Sequence, residues 1–210
     1  MRASPGSLVG LASLALLFSV TDSVCGQAPV DDAAWLTDTL NVGRGDVLAD
    51  VGAGLGEVSL RLSAAVGPAG TIYASELGTE RVAELQSVVD SAGASNVRVI
   101  EGHASRTNLP ASCCDAVLVR FVYHHFADPP AMNASLIASL KPGGRLAVID
   151  FEPDGPESAD PAGRGAGDQH GISVQTLRRE LEAAGFLILS SDVFPPFSAI
   201  YLVARKPGPN

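Results

Sequence analysis

From Asp46 to Ala204 the chain alternates short apolar runs with segments of helical period, and this alternation constrains the fold more than any other feature. Five runs read as strands: Asp46 to Val51 (DVLADV), Thr71 to Ser75, Val97 to Ile100, Asp115 to Val119 and Arg145 to Asp150. Between them, helices are expected after the Gly52 to Gly56 break, carrying Val58, Leu60, Leu62 and Val66, from Thr79 to Ala92, and from Pro129 to Leu140. A further helix, Asp31 to Leu40, precedes the first strand. Continuous apolar strands that alternate with helices build a mostly parallel sheet covered on both faces, an α/β doubly wound architecture. After a Pro-, Gly- and Asp-rich stretch at 152–171, expected as a flexible loop or lid, Ser173 to Ala184 restores a helix. Phe186 to Ser191 and Ser198 to Ala204, separated by Pro195 and Pro196, read as a closing antiparallel strand pair.

The 210 residues are 46% hydrophobic and 18% charged, enough for one core, so 27–210 is expected as one domain. Residues 1–26 look like a leader. Arg2 is followed by the thirteen uncharged residues Leu8 to Val20 and then a polar stretch, the order of a signal peptide. Thirteen residues fall short of the about twenty that cross a bilayer, so no stable membrane span is expected. If the leader is a signal peptide the protein is exported, to a periplasm or the medium; otherwise it is cytoplasmic. The formal charge of −9, with scattered basic residues, argues against nucleic acid as a partner. Cys25, Cys113 and Cys114 suggest no disulfide framework, because bonding adjacent cysteines closes a strained eight-membered ring; packing at a strand edge is expected for the neighbouring pair.

The strongest chemical signal is DVGAGLG, Asp50 to Gly56, at the junction of the first strand and its helix. Glycines 52, 54 and 56 allow a tight turn, admit a ligand close to the backbone and present helix N-terminal amides to it. A dinucleotide fingerprint would need a third glycine where Glu57 stands, and a carboxylate there would oppose a pyrophosphate. Glu76 ends the second strand, twenty positions after Gly56, where an acid can accept both hydroxyls of a ribose. Loop and acid together describe a site for a nucleoside without phosphates.

These residues, with the EGHAS segment at 101–105, CDAVLVRFVYHHF at 114–126 and LKPGGRLAVIDF at 140–151, resemble the class I S-adenosylmethionine-dependent methyltransferases. The likeness extends over roughly 42–204 and is greatest to the methyltransferase type 11 and ubiquinone-biosynthesis-methyltransferase-like group. It implies a Rossmann-like sheet of seven strands with an antiparallel C-terminal strand, S-adenosyl-L-methionine as cofactor and in-line methyl transfer to a small-molecule acceptor. By resemblance, Asp50, Gly52 and Gly54 hold the methionine part of the cofactor, Glu76 the ribose, and His103 and Ala104 border the adenine. Ala53, Gly56 and Leu77 complete that set, and Arg120 lies where relatives offer a backbone carbonyl to the cofactor's amino group. Many relatives carry Asp where this chain has His103. Two alternatives stand beside this reading: an S-adenosyl ligand-binding protein without catalysis, and an NAD(P)-dependent oxidoreductase, which Glu57 opposes.

Tyr123, His124 and His125 follow the fourth strand, at the sheet edge where open α/β folds bind ligands. They are the candidate catalytic residues, with His124 the first choice as general base and His125 the second. Consecutive side chains are expected to point apart, so one of the two histidines would face the acceptor; the competing role is a helix cap or packing against Phe126. Asp150 and Glu152, at the end of the fifth strand, could orient a substrate or be solvated. No metal is expected: a metal reading would recruit His124, His125 and His103, with Asp150, Glu152 or His170 as a further ligand, but no HxxxH or HExxH spacing supports it. The sequon at Asn133 falls on an expected helix, which disfavours glycosylation.

Overall fold

A computed structural model describes Met1 and residues 31–208. The apolar run at 8–20 and the leader boundary at 26 lie outside the described residues. The chain runs α1 (Asp32–Thr39), β1 (Val47–Val51), α2 (Glu57–Val66), β2 (Thr71–Glu76), α3 (Thr79–Ser91), β3 (Val97–Glu101), β4 (Cys114–Arg120), α4 (Pro129–Ser139), β5 (Leu140–Phe151), α5 (Val174–Ala183), β6 (Leu187–Phe194) and β7 (Ala199–Arg205). The strands form one seven-stranded sheet in the order β3-β2-β1-β4-β5-β7-β6. β7 is antiparallel to both of its neighbours, and the other pairings are parallel. No helix among the described residues is long and apolar enough to cross a membrane.

Strand alternation divides the core into two layers. Leu48, Leu118 and Ile149 face one way and meet Leu36, Leu62, Val66 and Leu85 of α1, α2 and α3. Ala49, Val51, Val119 and Val148 face the other way and meet Met132, Leu136, Leu177 and Leu181 of α4 and α5. The helices begin where local chemistry allows. The Asp31 carboxylate accepts the Ala33 N–H at 2.9 Å, Asp128 accepts Ala131 N–H at 3.1 Å ahead of two prolines in the first turn of α4, and the Ser173 hydroxyl accepts Thr176 N–H at 3.2 Å.

Three local expectations are corrected. The KPGG stretch is no free turn but the first part of β5, because Gly143 N–H donates to the Lys206 carbonyl and Lys206 N–H to the Gly144 carbonyl. β6 continues past Ser191 to Phe194, paired with Ala199 of β7. Cys113 and Cys114 are joined by a disulfide, with sulfurs 2.09 Å apart, at the point where the β4–β5 ladder shifts register. Both still pack against the core as expected.

The 152–171 segment contains two 3-10 turns, Pro161–Gly165 and Gly167–Gln169. It closes on Arg164, which is buried and donates to Glu180 of α5 at 2.9 Å, with Glu157 at 3.5 Å. A polar composition that reads as a loose loop is held by this internal charge cluster.

Candidate functional site

β1 pairs with β2 on one side and β4 on the other, so the chain leaves the middle of the sheet in opposite directions. Such a switch point opens a crevice at the carboxyl ends of the strands. A cavity of about 370 Å³ lies there, walled by Val51 and Gly52 after β1, Glu76 and Leu77 after β2, His103 and Ala104 after β3, and Phe121, Val122 and His125 after β4.

The glycine turn forms one lip. Gly52 has φ +76°, and a Cβ there would stand 2.4 Å from Val122 Cγ2, so turn and wall can meet only at a glycine. Gly52 and Ala53 donate their N–H groups to the Ser75 carbonyl at 3.0 and 2.9 Å, tying the turn to β2. Gly54 has φ +58°, and a Cβ on it would meet nothing within 4 Å, which leaves its outer face open to a ligand. Its N–H donates to Glu76 Oε1 at 2.7 Å, while Glu76 Oε2 accepts Leu77 N–H at 3.1 Å and lies 3.4 Å from Arg81 Nε. Gly56 stands outside the wall, as the left-handed N-cap of α2.

Two expected contacts fall elsewhere. The Asp50 side chain is buried beneath α2, where it accepts the Ser59 hydroxyl at 2.6 Å. Burial pushes its pKa up from 3.8 to about 6, against the lowering effects of the Ser59 bond and the Arg120 charge, with Glu76 adding a further rise. It is therefore a support of the turn and not part of the cavity wall. The Arg120 side chain turns to α1, where Nε donates to Asp32 Oδ2 at 2.6 Å and the guanidinium covers the Phe121 ring at 4.4 Å. Arg120 ends β4 and is not part of the cavity wall.

The segment after β4 forms a 3-10 turn, Tyr123–His125. Tyr123 is fully buried; its hydroxyl accepts the Asn133 amide at 2.7 Å and donates to Glu180 at 3.2 Å, and burial pushes its pKa far up. Its expected catalytic place is corrected to a structural one, and the sequon asparagine is buried with it. His124 is also buried. Its Nδ1 lies 2.7 Å from Asp150 Oδ1, and its Nε2 lies 3.0 Å from His170 Nε2. His125 alone of the three lines the cavity. Burial, followed by the His124 and His170 charges, pushes the His125 pKa down. The two histidine rings do not point apart: in the tight turn their centroids lie 4.1 Å from each other. Asp150 is no solvated strand end, since it also accepts the backbone N–H of His124 and Phe151 at 3.2 and 2.9 Å.

Sequence spacing gave no sign that His170 would join this group, because 46 positions separate it from His124 and only the folded 152–171 segment brings it back. The Asp150 contact had a signal. β4 and β5 are neighbours with Arg120 opposite Ile149, so Asp150, next along β5, lies beside the segment that follows β4.

The residues present fit an S-adenosyl ligand. The turn is open at Gly54, and the acid beside it faces the same cavity as His103 and Ala104. Comparisons with known proteins agree. A methyltransferase-domain family model matches residues 49–148. The ubiquinone/menaquinone biosynthesis C-methyltransferase of Stutzerimonas stutzeri is 28% identical over 109 residues, covering 51% of this chain and 43% of that protein, so the chain spans less than half of that relative's length. A methyltransferase structure from Aquifex aeolicus shares the fold with a TM-score of 0.71 at 24% identity, over 83% of this chain and 89% of that one. The cyclase SpnF also shares it, with a TM-score of 0.71 at 19% identity, over 84% and 81%. Over residues 49–148 and in its sheet order, the chain is similar to the class I S-adenosylmethionine-dependent methyltransferases.

Proposed function

We infer that the chain transfers a methyl group from S-adenosylmethionine to a small-molecule acceptor held at the His125 end of the cavity. The observation that carries this reading is the hydrogen-bonded unit of open glycine turn and Glu76 carboxylate at one lip of a cavity whose far wall holds an imidazole. Glu76 would take the ribose hydroxyls, the 52–54 turn the methionine part, and His103 and Ala104 the edge of the adenine. The cofactor, when bound, supplies an electrophilic methyl carbon on a cationic sulfur. The chain's own part is placement: Phe121, Phe126 and Met132 give the cavity apolar wall that excludes water, and holding two reactants in line accounts for much of the rate in such a transfer.

The matched relative's name concerns ubiquinone and menaquinone biosynthesis, which supports a small organic acceptor here. The formal charge of −9 disfavours a nucleic acid in that place. Because the same fold houses the cyclase SpnF, the reaction has to be argued from the site and tested directly. Calorimetric titration of the chain with S-adenosylmethionine, S-adenosylhomocysteine and NADH is the first test. The S-adenosyl ligands are expected to bind one per chain and NADH not at all; NADH binding without S-adenosyl binding would overturn the reading. Transfer of labelled methyl to a small-molecule extract, with none to the protein itself, then separates an enzyme from a non-catalytic binder.

A further inference from the structure

We propose that His124, His125 and His170 form a binding site for one divalent transition-metal ion of the zinc class, with Asp150 orienting the buried member. The ligand nitrogens that these three rings can offer all lie within 4.8 Å of one another. Two of them, His124 Nε2 and His170 Nε2, are 3.0 Å apart. In a tetrahedral zinc site with bonds of about 2.0–2.1 Å, neighbouring imidazole nitrogens stand roughly 3.3 Å apart. The close pair has to open by a few tenths of an ångström and the wider ones have to close, movements that ring rotation supplies.

What distinguishes the cluster from three histidines in casual contact is the group behind it. Asp150 is fully buried and accepts from His124 through the ring Nδ1 at 2.7 Å and the backbone N–H at 3.2 Å, so ring and main chain are held together. A carboxylate on Nδ1 fixes that nitrogen as the one carrying hydrogen and directs the Nε2 lone pair outward, toward His170. This is the arrangement by which outer carboxylates orient metal-binding imidazoles. Asp150 is occupied by these bonds and by Phe151 N–H at 2.9 Å, so it is a positioning residue and not a ligand. The second and third rings come from the cavity wall, His125, and from the end of the 152–171 segment, where a Cβ on Gly165 would stand 3.0 Å from His125 Nδ1.

An all-imidazole set selects the ion class. Calcium and magnesium require oxygen donors, whereas neutral imidazole suits zinc, cobalt, nickel, copper and ferrous iron. Three protein ligands leave a fourth position for water or for an oxygen of another molecule. His125 belongs to the cavity wall, so that position adjoins the space assigned above to the acceptor. The site itself does not depend on the methyl-transfer reading.

The test uses the full chain, stripped with a chelator and titrated with zinc by calorimetry and with cobalt by visible absorption, with magnesium as control. One zinc per chain is expected, together with the intense visible bands of four-coordinate cobalt; magnesium should displace neither. Asp150→Asn should keep the stoichiometry and weaken zinc binding by about 10- to 100-fold. His170→Gln and His125→Gln, both at accessible positions, should each remove the cobalt bands and weaken zinc at least as much as Asp150→Asn does, with circular dichroism reporting the fold. If His124→Gln does not fold, these two variants still decide. A wild-type chain that takes up no zinc, or His170→Gln and His125→Gln chains that bind zinc as wild type does, would overturn the proposal. Binding of S-adenosylhomocysteine to the same preparations reports the methyltransferase reading separately.

Discussion

Glu76, at the end of β2, accepts the Gly54 N–H at 2.7 Å, so the acid proposed to take the ribose and the glycine turn form one hydrogen-bonded unit. The same carboxylate caps Leu77 N–H through its other oxygen. The side chain is buried, yet it faces the cavity, and both oxygens are oriented before a ligand arrives. Preorganisation of this kind lowers the cost of binding.

Glu76→Ala should therefore weaken S-adenosylhomocysteine binding by at least about tenfold, since a hydrogen bond to a charged acceptor is worth roughly 1.5–3 kcal/mol and tenfold is about 1.4 kcal/mol. Glu76→Gln, which can still accept from Gly54, should lose less. Calorimetry on both variants checks the order, and wild-type affinity in Glu76→Ala would remove the ribose assignment.

Gly52 and Val122 offer a steric test of the same lip. A methyl at position 52 would stand 2.4 Å from Val122 Cγ2, at φ +76°. Gly52→Ala is expected to cost about 1–3 kcal/mol from overpacking, with a further penalty for the backbone. Val122→Ala in the same chain should return the overpacking part and leave the backbone part, and thermal melting of the two single variants and the double variant measures the coupling. Strict additivity would mean that the two residues do not meet.

Much of this geometry was legible in the sequence, and the failures have physical causes. The βα alternation located β1 to β4 and the helices α1, α3, α4 and α5 to within a residue or two, and the presence of α2, because buried strands and amphipathic helices differ in period. The glycine turn and Glu76 were legible because backbone demands fixed their types. Asp50 was misplaced although strand parity could have placed it: with Leu48 it points to the α1–α3 layer, where Ser59 meets it. Tyr123 was misplaced because the chain after β4 is a 3-10 turn, which sends one residue to the core and another to the cavity. The sequence offers His170 beside His124 as a metal ligand but no spacing that supports it, since their convergence depends on how Arg164 gathers the 152–171 segment onto α5.

Asp50 makes a prediction about pH. Its folded pKa, about 6, lies above its unfolded value of 3.8, so the native state holds the proton more tightly. The stabilisation this gives is complete below about pH 4 and is lost as the pH rises through about 6, a change on the order of 3 kcal/mol. Asp50→Asn has no such proton and keeps an oxygen to accept from Ser59. Melting curves between about pH 4 and pH 7 should show wild type losing stability relative to Asp50→Asn, and a relative gain over that window would contradict the burial argument.

Tyr123 and His125 are close in sequence and opposite in expected behaviour. The Tyr123 hydroxyl joins Asn133 to Glu180 inside the core, so Tyr123→Phe leaves buried polar groups short of a partner and should cost about 1–3 kcal/mol of stability. Its S-adenosylhomocysteine affinity should remain that of wild type, since the cavity wall does not include it. The His125 side chain is exposed at the wall, and in chelator-treated protein His125→Gln should change stability by no more than about 0.5 kcal/mol. Its turnover on an identified acceptor should fall, by about 10²–10⁴ if the imidazole takes part in removing the acceptor's proton. Melting and single-turnover methyl transfer on the two variants separate support from chemistry. Loss of turnover in Tyr123→Phe at unchanged S-adenosylhomocysteine affinity would return the tyrosine to the reaction and contradict its burial in the core.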